Sequence, residues 1–318
     1  MKYTIGIDLG GTNIAAGVVR EDFQIIAKAK RKTISGPGRE IAAEMAAACR
    51  EAAEMAAIPM ERISSIGVGS PGMINPETGL IDFSPNLHFH QVPLKAFLEE
   101  ELGRTVYIEN DANAAAIGEY VTQYAGRIHS MILITLGTGI GGGFILNGKL
   151  FSGFNYTGTE IGHMVIHEQG EPCSCGRNGC FEAYASASAL KRLTRRAMAE
   201  HPESQLWALT GGDPEKVSGR TAFMGMRAGD PCSTAVVHTY MDSLACGITN
   251  IINIFAPEVL CIGGGVSNEG DGLIAMLEER VRREEFARFT QKRTRITNAQ
   301  LKNGAGIIGA AMLEHFCP

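Results

Sequence analysis

Glycine-rich turns at two distant places constrain the fold of this chain more than any other feature. Asp8-Leu9-Gly10-Gly11 follows a predicted strand, and Leu136-Gly137-Thr138-Gly139 follows another. A third glycine run, at 263–265, also follows a short apolar segment that reads as a buried strand. The interval between the first two turns is too long for a solenoid repeat. We therefore predict a duplicated domain, with one glycine-rich hairpin per half facing a shared cleft.

The rest of the chain alternates strand and helix patterns, which is typical of an α/β protein. Before the second turn we predict strands at 3–9, 14–19, 25–33, 65–69 and 105–109, and helices at 39–57, 93–102 and 112–124. From the second turn onward we predict strands at 131–136, 144–146 and 259–262, and helices at 235–255 and 304–316. We expect a small N-terminal domain, 1–115, completed by the C-terminal helix at 304–318, and a larger domain at 116–303.

The second glycine turn matches the dinucleotide pattern G-x-G-x-x-G between Gly137 and Gly142. That pattern needs a helix after it, and here a strand and an Asn147-Gly148 turn follow, so we disfavour a dinucleotide site. Glycine turns from two halves can instead present backbone N–H groups to a phosphate chain. Asp8, at the end of the first strand, either holds Mg²⁺, directly or through water, or caps the turn.

Charge and composition exclude several classes of protein. The formal net charge is −5, which argues against a protein that binds nucleic acid through phosphate contacts. No apolar run approaches the roughly 18 residues that span a bilayer. The N-terminus lacks the features of a signal peptide, so we expect a cytoplasmic protein.

Three of the eight cysteines, Cys173, Cys175 and Cys180, lie close together after His163. Three thiolates and an imidazole suit a tetrahedral structural Zn²⁺ site. The alternative is three reduced surface cysteines, which would be open to oxidation. The remaining five are interpreted as small core residues.

Asn110 and Asp111 end a predicted strand and begin a predicted helix. Taken alone, one of them is more simply explained as a helix N-cap. The carboxyl end of a strand is also where α/β proteins place their chemistry, so a catalytic role stays open.

Several of these motifs together resemble the ROK family of repressors, open reading frames and kinases, within the sugar-kinase/actin superfamily. They are the Asp8-Leu9-Gly10-Gly11-Thr12-Asn13 turn, the Asn110-Asp111-Ala112-Asn113 run, and Glu160-Ile161-Gly162-His163 followed by the cysteine loop. The resemblance implies two ribonuclease-H-like domains of the actin/hexokinase type around a cleft. It further implies an ATP- and Mg²⁺-dependent hexose kinase, with glucokinase favoured, and a homodimer or homotetramer.

The resemblance also implies roles for individual residues. Asp111 would be the general base, and His163 would bind both zinc and the sugar. The sugar would contact Asn86, Asn110, Asp111, Glu160, His163 and Glu182. The nucleotide would contact Asp8, Gly10, Gly11, Thr12, Asn13, Gly137, Thr138, Gly139, Gly263, Gly264 and Gly265.

Other functions within the resemblance stay open. Kinases for N-acetylmannosamine, N-acetylglucosamine, fructose or allose differ from a glucokinase in only a few pocket contacts. A tryptophan usual in the glucokinases is replaced here by the run His88-Phe89-His90. A sugar-responsive repressor is disfavoured, because the first motif begins too early to leave room for a preceding DNA-binding domain. The retained Asp111 argues against an inactive sugar-binding module.

Overall fold

The structure is a computed structural model that describes residues 2–317. Its strands are β1 Tyr3–Leu9, β2 Asn13–Arg20, β3 Ile25–Lys32, β4 Ile63–Ser70, β5 Met73–Asn75, β6 Leu80–Ser84, β7 Phe89–Val92, β8 Val106–Asn110, β9 Met131–Leu136, β10 Ile140–Leu146, β11 Lys149–Phe151, β12 Val259–Gly263 and β13 Arg295–Asn298. Its α-helices are α1 Gly38–Met55, α2 Leu94–Leu102, α3 Asp111–Glu119, α4 Glu182–Ala185, α5 Ala187–Glu200, α6 Leu206–Leu209, α7 Thr221–Arg227, α8 Pro231–Phe255, α9 Asp271–Glu284 and α10 Ala305–Ala311.

The chain divides into two compact units. Unit 1 comprises residues 1–133, 143–159 and 300–318, and unit 2 comprises residues 134–142 and 160–299. The domain boundaries expected from the sequence stay a prediction. No helix within residues 2–317 combines the length and the hydropathy needed to span a membrane.

Unit 1 is built on a five-stranded sheet with the order β3-β2-β1-β4-β8. The first three strands form an antiparallel meander, whereas β4 and β8 run parallel to β1. Parallel pairing brings the carboxyl ends of β1, β4 and β8 to one edge of the sheet, where α/β proteins commonly bind ligands. Most residues of β1 and β4 are buried, as expected for a sheet covered on both faces.

Helix α10 packs unusually close to this sheet. A Cβ atom at Gly6 would lie 1.8 Å from the carbonyl oxygen of Ile307, and one at Gly67 would lie 1.7 Å from that of Ala310. Only glycine therefore allows the C-terminal helix to approach β1 and β4. The helix ends at Ala311 and a 3₁₀ turn covers Leu313–His315, so the single helix predicted over 304–316 is too long.

Two smaller features complete unit 1. The strands β5, β6 and β7 form a three-stranded antiparallel sheet that the sequence patterns did not predict. The strands β10 and β11 form a hairpin, and Asn147 and Gly148 at its tip both have positive φ, at 54° and 72°. That geometry confirms the predicted Asn-Gly turn.

The second five-stranded sheet has the order β11-β10-β9-β12-β13. The division between the units cuts β9 and β10, and β12 and β13 belong to unit 2, where they run parallel. Strand β10 begins at Ile140, four residues before the strand predicted at 144–146, so the second glycine turn ends at Gly139. Helix α8 begins at Pro231, capped by the Asp230 side chain, four residues earlier than predicted.

Candidate active site

The carboxyl edge of the unit 1 sheet carries the polar residues that the sequence singled out. Asp8 pairs with Gly69 across β1 and β4, and Ser70 pairs with Asn110 across β4 and β8. A Cβ atom at Gly69 would lie 3.5 Å from the Cα atom of Asp111. The structure thus places Asp8 and Asp111 on either side of the end of β4.

Helix α3 is capped by Asn110 rather than by Asp111. The Asn110 side-chain oxygen accepts hydrogen bonds from the backbone N–H groups of Ala112, at 2.9 Å, and Asn113, at 3.3 Å. Asp111 is the first helical residue, is exposed, and accepts a bond from the Ala112 N–H. The capping explanation for this pair therefore belongs to Asn110, and Asp111 is the first residue of the helix that Asn110 caps.

The first glycine turn is exposed and internally bonded. The Gly10 N–H donates to the Asn13 carbonyl at 2.9 Å, and the Thr33 hydroxyl donates to the Gly10 carbonyl at 2.7 Å. A Cβ atom at Gly11 would lie 3.5 Å from the backbone oxygen of Asn86, so Asn86 lies beside this turn. Gly11, Thr12, Asn13 and Asn86 are all exposed, which leaves them accessible to a ligand.

Asp8 is half-buried at the end of β1. Burial raises the pKa of its carboxyl group, and the positive charge of Lys28 opposes that shift. A carboxylate partly removed from water gains from a nearby cation, because the cation offsets the cost of burying its charge. Asp8 is therefore suited to hold a hydrated divalent cation.

In unit 2 the structure brings together the four predicted zinc ligands, His163, Cys173, Cys175 and Cys180. Their ligand atoms all lie within 4.8 Å of one another. The sulfurs of Cys175 and Cys180 are 3.7 Å apart, and the Cys173 sulfur is 3.6 Å from Nδ1 of His163. Tetrahedral zinc with ordinary bond lengths would give edges of about 3.8 Å between two sulfurs and about 3.6 Å between sulfur and nitrogen. These four residues could therefore hold zinc with little rearrangement.

Unit 2 also contains Glu160, His163 and Glu182, which the sequence predicts to bind the sugar. Burial raises the pKa of Glu160. The charge of His163 opposes this shift, and the charge of Glu182 adds to it. Because Nδ1 of His163 faces the thiols, its Nε2 atom is left for another partner. Glu160, His163 and Glu182 therefore influence one another electrostatically, and their binding of sugar stays a prediction.

Glu182 connects the cysteine loop to the second glycine turn. Its Oε1 atom accepts a hydrogen bond from the Ser174 hydroxyl at 3.3 Å, and its Oε2 atom accepts one from the Ile140 N–H at 2.9 Å. A Cβ atom at Gly139 would lie 2.1 Å from Oε2. Both carboxylate oxygens of Glu182 therefore have protein partners that fix its orientation.

The third glycine run has two different roles. Gly264 has a φ of +83°, and a Cβ atom there would lie 2.6 Å from the backbone of Leu136. Gly264 is therefore required by the fold itself. Gly265 has open space at its Cβ position and is exposed, so it is the member of the run that could face a ligand.

Several hydrogen-bond partners of the site residues were not predicted from the sequence. Ser174 lies inside the cysteine loop but was not singled out, and the N–H of Ile140 carries no sequence signal. Glu109 was also passed over, although a carboxylate at a buried strand position is a visible anomaly.

Comparison with known proteins finds relatives along nearly the whole chain. The family model described as "ROK family" matches residues 4–316. A glucokinase from Thermotoga maritima is 38% identical over 312 residues, which cover 97% of this chain and 96% of that protein. The structure of a ROK family glucokinase from Streptomyces griseus, in complex with glucose and AMPPNP, is 34% identical, covers 98% of both chains and has a TM-score of 0.84. A ROK hexokinase from Thermus thermophilus is 33% identical, covers 98% of this chain and 99% of that one, and has a TM-score of 0.81.

Proposed function

Because this chain belongs to the ROK family, with its two-domain fold of the actin/hexokinase type, we propose that it is an ATP-dependent glucokinase forming glucose 6-phosphate and ADP. The observation that carries the proposal is the position of Asp111 at the carboxyl end of β8. Its carboxylate is exposed there, while the neighbouring Asn110 caps the helix. The glucokinase relatives support glucose over the other sugars that the sequence left open.

In the proposed reaction, the 6-hydroxyl oxygen of glucose attacks the γ-phosphorus of ATP. The bond between that phosphorus and the β–γ bridging oxygen breaks, and ADP leaves. Asp111 accepts the proton of the attacking hydroxyl group. Phosphoryl transfer depends mainly on positioning the substrates and on neutralising their charge. One well-placed base is therefore the only proton acceptor that the protein needs to supply.

We assign binding roles to residues of each unit separately. In unit 1, Asn86 and Asn110 would hydrogen-bond sugar hydroxyls, Asp8 would hold Mg²⁺, and the turn at 10–13 would contact phosphate. In unit 2, Glu160, His163 and Glu182 would bind the sugar, and the glycine turns at 137–139 and 263–265 would bind the nucleotide. Carboxylates, amides and imidazole suit sugar hydroxyls because they accept or donate hydrogen bonds, and glycine turns expose backbone N–H groups to phosphates.

Zinc at His163, Cys173, Cys175 and Cys180 would have a structural role. It would close the loop that carries Ser174, and so fix the partner of Glu182. Its thiolate ligands must stay reduced to bind metal, which supports a cytoplasmic location. Assembly into a homodimer or homotetramer stays a prediction.

Replacing Asp111 with asparagine tests the central assignment. Asn has nearly the same shape but cannot accept a proton at neutral pH, and Asn110 continues to cap α3. We expect kcat with glucose and ATP to fall by about 10²- to 10⁴-fold, which is the usual contribution of a general base. The melting temperature and the affinity for glucose should change little.

A kinetic screen of hexoses, each with ATP and with polyphosphate, supplies the control. The wild-type protein should prefer glucose and ATP. Near-normal turnover of Asp111→Asn on every sugar that the wild type phosphorylates would refute the assignment of the base. Absence of phosphorylation by the wild type would refute the kinase itself.

A further inference from the structure

A cavity of about 580 Å³ lies within unit 1, and none of the residues assigned to sugar and nucleotide is part of its lining. Its walls come from strand β8, from the β10–β11 hairpin and the segment after it, and from the C-terminal segment after α10. The side chains that matter here are Glu109, Lys149, Phe151, Tyr156, Phe316 and Cys317. Its volume is in the ordinary range of small-molecule pockets.

Glu109 is the unusual member of this lining, because it is 1% exposed. Its Oε1 atom accepts two hydrogen bonds, from the Asn110 N–H at 2.8 Å and from the Asn113 side-chain amide at 3.0 Å. Within residues 2–317, its Oε2 atom has no hydrogen-bond or ion-pair partner. A carboxylate on a side chain this deeply buried usually has partners for both oxygens, because burying its charge unpaired carries a large desolvation cost.

The other polar groups around the cavity do not fill that role. The Tyr156 hydroxyl donates to Glu77, and His315 is paired with Glu314. Burial raises the pKa of the Cys317 thiol to about 12, so the thiol is neutral. Lys149 is exposed, so water screens its charge.

We propose that this cavity binds a small organic cation whose ammonium group donates to Oε2 of Glu109. A primary ammonium supplies both the positive charge and the donors that the buried carboxylate lacks. The apolar body of the ligand would lie against the aromatic rings of Phe151 and Phe316. Since Oε1 of the same carboxylate holds the backbone of Asn110, the ligand would bind one residue away from the segment that carries Asp111.

Calorimetric titration with benzylamine, which is protonated at pH 7, tests this site in the absence of ATP and sugar. We expect saturable binding of one molecule per chain. The neutral analogue benzyl alcohol should bind at least about tenfold more weakly, because it lacks the charge-assisted hydrogen bond. The experiment does not depend on the kinase proposal, so the two can fail separately.

Glu109→Gln should weaken benzylamine binding by about tenfold or more, while its amide oxygen still accepts from Asn110 and Asn113. Phe151 is 44% exposed, so Phe151→Ala can be made without threatening folding, and it should weaken binding severalfold. Phe154→Ala is the matched control, because Phe154 is 97% exposed and lies outside the lining. Unsaturable binding to the wild type, equal affinity in Glu109→Gln, or equal losses in the two phenylalanine variants would overturn the proposal.

Discussion

Two single-methyl substitutions in the second glycine turn provide a matched test of the link through Glu182. A Cβ atom at Gly139 would lie 2.1 Å from Oε2 of Glu182 and 3.0 Å from its Cδ. A Cβ atom at Gly137 would meet nothing closer than the Gly139 carbonyl oxygen, at 3.9 Å. Neither glycine has a positive φ, so alanine suits the backbone at both positions.

The structure sets the size of the effect expected for Gly139→Ala. The clash falls on the end of a flexible side chain, so Glu182 moves and loses the 2.9 Å hydrogen bond from the Ile140 N–H. Hydrogen bonds to charged groups contribute about 1.5–3 kcal/mol, and Ile140 is buried, so its N–H is left without an acceptor. We expect a lower melting temperature, and a fall of about tenfold or more in kcat/KM for glucose.

Thermal denaturation and a coupled assay for ADP formation measure both effects. Gly137→Ala should keep the wild-type melting temperature and the wild-type glucose KM, and any change should fall on the KM for ATP. If Gly139→Ala resembles Gly137→Ala in stability and in glucose kinetics, Glu182 does not hold the glycine turn and the reasoning is wrong.

Two further predictions concern the metals. Purified protein should contain about one zinc per chain. Cys175→Ser should lose the zinc and weaken glucose binding, because the free energy of metal binding contributes to the folding of the loop. Wild-type protein that is prepared without chelator and contains no zinc would contradict the zinc site. The raised pKa of Asp8 predicts that the KM for MgATP rises as the pH falls towards that pKa, which lies above the ordinary value of an aspartate, since protonated Asp8 cannot hold Mg²⁺. The raised pKa also means that the folded state binds the proton of Asp8 more tightly than the unfolded state does, so ionisation of Asp8 lowers the stability of the fold as the pH rises. We therefore expect Asp8→Asn to have a melting temperature at pH 7 no lower than that of the wild type. If the KM for MgATP of Asp8→Asn depends on pH in the same way as that of the wild type, the Mg²⁺ assignment is refuted.

Much of this protein could be predicted from the sequence, because local patterns carried it. Alternating and apolar runs placed the five strands of the unit 1 sheet to within about two residues, whereas β10 begins four residues before its predicted start and β11 and β13 were not predicted. Asn147-Gly148 predicted a hairpin turn because both residues tolerate positive φ. The grouping of His163 with three cysteines needed only ligand chemistry and spacing. The glycine turns also predict phosphate contacts, because a backbone without side chains presents its N–H groups openly, and that assignment stays a prediction.

Other features depended on contacts between residues far apart in the chain. Asn110 and Asp111 were equivalent candidates for the cap until the backbone geometry showed that Asn110 caps α3. Gly137 and Gly139 looked alike, but only Gly139 faces Glu182, which follows it by more than forty residues. Glu109 shows in the sequence only as a carboxylate at the end of an apolar strand, and the packing of the C-terminal segment and the β10–β11 hairpin around it forms the cavity. Local sequence patterns determine backbone conformation, whereas the partner of a buried charge is decided by which distant segments pack against it.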